Sequence, residues 1–173
     1  MSDIGRKADL APADGTLLIA LMDWSQIASD FTADGSLRDI YICGTSMDDW
    51  VCVWAVLTAE SSSLEFTIDG EPRMPPAVTE VFMLSRAHSV CASYKLGQQR
   101  LNCHFFCEEE IEFDLDPRDV VGLDEAKQLA EFMKSVGRAT SKKVRLTPEN
   151  EVGSTIARYE PATDEVVWRP TLD

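Results

Sequence analysis

Hydrophobic and polar positions alternate in two different rhythms along this chain. A period of two, which puts successive side chains on opposite faces of a strand, runs through residues 64–68 and 108–116, while 37–43 reads as a buried strand and 89–96 and 100–107 as further strands. Residues 16–22 form a continuous apolar run that reads as a buried strand, and 78–86, rich in Val and other apolar side chains, reads as a further one. A helical period appears in three places. Trp24, Ile27, Ala28 and Phe31 follow i, i+3, i+4, i+7 spacing after Asp23. Met47, Trp50, Val51, Trp54 and Leu57 share a face behind a Thr45 or Ser46 cap, with Asp48 and Asp49 at the positive end of the helix.

The third helical pattern is the clearest. It runs over 124–136, with Asp124 as cap, an apolar face of Ala126, Leu129, Ala130, Met133 and Val136, and Gly137 placed to end it. Short closing strands are expected at 144–146, 155–159 and 165–168, with a turn at 161–164. Asp14-Gly15, Asp34-Gly35 and Asp69-Gly70 are favourable turn pairs beside apolar runs, because both residues tolerate positive φ. Strands come in runs, without regular strand–helix alternation. The predicted fold is therefore α+β, a mainly antiparallel sheet with two or three helices packed on one face.

Length and composition narrow the picture. A chain of 173 residues with 45% hydrophobic and 27% charged residues suits one ordinary domain, 1–173, with 1–13 expected as a loosely ordered lead-in. The longest early apolar run is too short for a signal-peptide core or a membrane span, and five cysteines is an odd number for a disulfide framework. A cytoplasmic protein with reduced thiols and no membrane partner is the expectation. The net charge of −14 argues against nucleic acid, whose phosphates call for clustered Lys and Arg. The acidity is one-sided: residues 1–121 hold 8 basic and 21 acidic residues, and 122–173 hold 8 and 9.

The most distinctive segment reads Glu-Glu-Glu-Ile-Glu-Phe-Asp-Leu-Asp from 108 to 116. On a strand, Glu108, Glu110, Glu112, Asp114 and Asp116 project from one side, and Ile111, Phe113 and Leu115 face the core. Neighbouring carboxylates two strand rises apart repel by about 0.5 kcal/mol in water-like dielectric. Either a basic strand of this chain, with Lys143 and Arg145 on one face, neutralises the row, or a basic partner protein docks on it. The second reading makes the chain a non-catalytic binding protein. Open sheet edges also admit a homodimer.

Catalytic alternatives are sparse. His88 and His104 are the only imidazole bases, and a small hydrolase or ligand-binding enzyme would need a pocket at one of them. Cys103-His104-Phe105-Phe106-Cys107 on a strand cannot converge on zinc, and alternate carboxylates cannot converge on calcium, so no metal or other cofactor is expected. Cys103 and Cys107 are instead expected in the core. No phosphate-cradling glycine loop and no nucleophile elbow is present. Trp50 and Trp54, at i, i+4, read as a helix packed on the sheet rather than as pocket walls.

Overall fold

The computed structural model describes residues 17–18 and 23–169. Ten strands form one sheet: β1 (Leu17–Leu18), β2 (Arg38–Cys43), β3 (Leu64–Ile68), β4 (Glu71–Arg73), β5 (Val90–Leu96), β6 (Gln99–His104), β7 (Glu110–Leu115), β8 (Val144–Pro148), β9 (Ala157–Glu160) and β10 (Glu165–Trp168). Their order is β1-β10-β9-β8-β2-β7-β6-β5-β3-β4, and every neighbouring pair is antiparallel. Four α-helices accompany it among the described residues: α1 (Trp24–Ile27), α2 (Met47–Thr58), α3 (Val78–Leu84) and α4 (Leu123–Thr140). The fold is α+β with a mainly antiparallel sheet, as the two rhythms require.

Alternation explains the core. Ile40 and Ile42 of β2, Ile111, Phe113 and Leu115 of β7, Leu101 and Cys103 of β6, and Val144 and Leu146 of β8 all turn inward and are buried. Against them lie Trp50, Val53 and Leu57 of α2 and Leu129, Met133 and Val136 of α4. Each fully buried side chain of this size contributes roughly 1.5–3 kcal/mol of hydrophobic transfer energy. Trp50 and Trp54 are core residues, edge-on or tilted against Phe66, Phe82 and Phe105. Their indole N–H groups donate to the carbonyls of Glu108 (3.1 Å) and Pro76 (2.8 Å), so neither ring leaves a buried donor unpaired.

Caps set the helix starts. Asp23 closes a capping box on α1, which continues as a 3-10 turn over Ala28–Phe31 and buries Ile27 and Phe31. Ser46 and Asp49 form the capping box of α2.

Several expectations need correction. Residues 78–86 were expected to form a strand, but α3 occupies most of them. Val78, Val81 and Phe82 have the spacing of a helix face, and Phe82 packs edge-on against Trp50 and Phe105, so tertiary contacts override β-branched propensity. Strand β4 follows the Asp69-Gly70 turn as a hairpin partner that the sequence pattern did not suggest. Helix α4 begins after Gly122 and ends at Ser141 in the left-handed conformation, so Gly137 lies inside it rather than at its end. β6 stops at His104; Phe105 is buried beyond it, and Cys107 is exposed rather than in the core. The expected strand at 16–22 is described only as Leu17–Leu18, and its remainder, with 1–13, lies outside the described residues.

Candidate functional site

β2 and β7 are neighbours at the centre of the sheet, and their outward residues meet in register. Asp39 faces Asp114, Tyr41 faces Glu112, and Cys43 faces Glu110. On the other side of β7, Asn102 faces Asp114 and His104 faces Glu112. The sheet therefore gathers four carboxylates, an imidazole, an amide, a phenol and a thiol on the face away from α2 and α4. Like charges directly opposite one another destabilise a sheet, so each needs a compensating contact.

Most of these groups have one. Asp39 is almost fully buried, and its Oδ2 accepts from the Tyr41 hydroxyl (2.9 Å) and the Asn150 amide (2.8 Å). Burial and that bond to Asp39 push the Tyr41 hydroxyl far above its ordinary range, so it stays a neutral donor. Asp114 accepts from Asn102 Nδ2 (2.9 Å) and lies 2.5 Å from His104 Nε2. Burial alone would raise the Asp114 carboxyl, but the bonds from His104 and Asn102 outweigh it and hold it below the usual value. The bond to Asp114 raises His104 against the opposing effect of its burial. Ser93 Oγ, in turn, donates to Asn102 Oδ1 (2.7 Å), extending the network across β5, β6 and β7. The Phe106 ring, largely exposed, stacks on His104 at 5.3 Å and 8°.

Glu112 is the exception. Burial raises its pKa, and Asp39, Glu110 and Asp114 push it further in the same direction, with only the His104 charge opposing them. Glu110 accepts a long 3.6 Å contact from Cys43 Sγ, whose own pKa is raised by burial and by Glu110, so the thiol stays protonated.

The expected row of five carboxylates is a row of three. Glu110, Glu112 and Asp114 lie on β7 as the alternation requires. Glu108 precedes the strand, where its carbonyl is bonded by Thr45 Oγ1 and Trp50 Nε1. Asp116 follows the strand as the cap of a 3-10 turn over Pro117–Asp119, and Arg118 neutralises it through a bidentate pair. Among the described residues no printed ion pair joins the expected basic strand, Lys143 and Arg145, to the row either. β8 is separated from β7 by β2, and two strand spacings put the rows about 9.5 Å apart. Lys143 Nζ reaches Glu160 at 3.6 Å instead.

His88 is an exposed residue whose Nδ1 lies 2.7 Å from Asp69 at the end of the β3–β4 hairpin strand. Both imidazoles thus bond to carboxylates, and no bond from either to a Ser or Cys side chain occurs among the described residues. No cluster of three or more metal-ligating side chains occurs among the described residues either, and no described helix is long and apolar enough to cross a membrane.

Asp39 and Tyr41 were missed by the sequence reading. The signal was available in Arg38-Asp39-Ile40-Tyr41-Ile42-Cys43, where polar and apolar residues alternate as they do on β7. Comparison with protein-family models, curated proteins and solved structures finds no match to this chain.

Proposed function

We propose that this chain is a non-catalytic binding protein whose exposed sheet face receives a basic segment of a partner protein. The observation that carries this reading is Glu112, a half-buried carboxylate set among Asp39, Glu110 and Asp114 and opposed only by His104, which is already bonded to Asp114. An arginine or lysine side chain docked over Glu110 and Glu112 relieves that repulsion, whereas water and salt relieve it only partly. The strongly negative chain also favours fast encounter with a positive surface. Phe106, exposed and stacked on His104 beside the acids, offers an aromatic face for a guanidinium. The hydrolase reading lacks support, because neither histidine is bonded to a nucleophile.

Fluorescence anisotropy with a labelled hexa-arginine peptide tests the proposal, with hexaglutamate as control. The expected result is saturable binding of the basic peptide that weakens with added salt and falls at least tenfold in Glu110→Gln/Glu112→Gln. Equal binding to the native and doubly substituted proteins would remove the face from consideration.

A further inference from the structure

The same sheet face holds a second feature of opposite sign. A cleft of about 310 Å3 beside β2 is lined by Tyr41, Cys43, Lys142, Lys143 and Arg145. A protein with 30 acidic and 16 basic residues places three cations around one depression. Lys143 and Arg145 project from the same side of the chain, about 6.6–6.8 Å apart along the strand direction.

The carboxylates nearby pair with two of the three cations, Lys142 with Asp49 at 3.8 Å and Lys143 with Glu160 at 3.6 Å, and leave the third. Arg145 stands opposite Tyr41 on one side and opposite Arg158 on the other. Two arginines in direct register cost stability, and Arg158 turns to Glu160. The Arg145 guanidinium has no ion pair among the described residues. The two remaining walls are committed elsewhere, since Tyr41 donates to Asp39 and Cys43 to Glu110.

We infer that this cleft is a binding site for a small oxyanion, a phosphate or carboxylate group, with Arg145 as its principal ligand and Lys142 and Lys143 as flanking charges. Guanidinium binds such groups through two parallel N–H donors, which a planar carboxylate or a phosphate edge matches. The volume lies at the lower end of ligand-pocket sizes, which suits a small molecule rather than a chain segment. This inference does not rest on the acidic face.

Amide NMR titration of the protein with inorganic phosphate, and separately with acetate, each against chloride at matched ionic strength, tests it. Saturable shifts confined to residues 41–43 and 142–145 are expected. Affinity falls at least tenfold in Arg145→Gln and recovers in part in Arg145→Lys, which also controls for misfolding. Glu110→Gln/Glu112→Gln leaves phosphate binding in place, so failure of the docking face and failure of this cleft read differently. Tighter phosphate than acetate assigns a phosphoryl ligand, and the reverse assigns a carboxylate. Shifts that grow linearly and match chloride, or an unchanged affinity in Arg145→Gln, overturn the inference.

Discussion

Gly137→Ala is a substitution for which two general rules point in opposite directions. In the middle of a helix, alanine is favoured over glycine by about 1 kcal/mol. Gly137, however, lies within α4 where it crosses β9, and a Cβ there would sit 2.2 Å from Tyr159 Cδ1, 2.4 Å from Cε1 and 3.0 Å from Val144 Cγ2. Carbon atoms prefer about 3.5–4.0 Å, so the ring would have to retreat by more than roughly 1 Å. It has little freedom to do so. Tyr159 is buried, and its hydroxyl donates to Asp164 Oδ1 (3.1 Å), a carboxylate that Arg138 also grips. Overpacking of this kind costs about 1–3 kcal/mol, and losing the hydroxyl bond adds about 1 kcal/mol. After the helix gain is subtracted, a net destabilisation of about 2 kcal/mol remains, equivalent to roughly 4–8 °C in Tm for a chain of this size. Thermal unfolding by circular dichroism reads this directly. The same substitution placed in a Tyr159→Ala background has room for its methyl and should raise Tm instead. A Gly137→Ala protein as stable as the native one, or a penalty that persists without the Tyr159 ring, would refute the steric argument.

Three further outcomes follow from the charges. Glu112 has a folded pKa above its unfolded one, so the native state holds its proton longer and stability declines as pH rises through that window. Glu112→Gln is therefore expected to raise Tm at pH 7 and to match the native protein below about pH 4, where both side chains are neutral. His104 is raised and Asp114 lowered: the first contributes stability below its unfolded pKa that is lost as pH rises through the folded one, and the second contributes stability above its unfolded pKa that is lost on acidification. Their pair is strongest between the two unfolded values, 3.8 and 6.5, and an NMR titration should show the His104 pKa falling in Asp114→Asn. Asp164, lowered to about 2 chiefly by its bond from Arg138, is expected to rise toward the ordinary aspartate value in Arg138→Ala, with the Tyr159 bond still holding it below, read from its carboxyl carbon shift.

How much of this was readable beforehand depended on whether one face of an element settled the matter. β7 was legible because Ile111, Phe113 and Leu115 need burial while the residues between them cannot have it. α4 was legible for the same reason at a period of 3.6. α3 was not: seven residues make two turns, too few to establish a period, and Val78, Thr79 and Val81 favour strand until Trp50 and Phe105 are brought against Phe82 of the same segment. The site was half legible. The carboxylates of β7 announced themselves, but their neighbours are set by sheet order. No local pattern says that β2 separates β7 from β8, and that single fact decides that Arg145 faces Tyr41 rather than Glu112. Gly137 was misassigned because a glycine near a helix end serves equally as a stop or as a point of close approach, and only the position of Tyr159 distinguishes them.

The place of β2 has a consequence for the chain while it is being made. Both strands that flank β2 come from beyond residue 109, one on each side of α4. As synthesis runs from the N-terminus, Arg38–Cys43 emerges with neither edge satisfied and must wait for Glu110–Leu115 and then Val144–Pro148. During that interval its apolar residues Ile40 and Ile42 are flanked by Arg38 and Asp39, charges that discourage pairing with another nascent copy. The central strand is thus the first of the inner strands to leave the ribosome and among the last to be secured, and folding of the sheet is tied to the synthesis of Val144–Pro148.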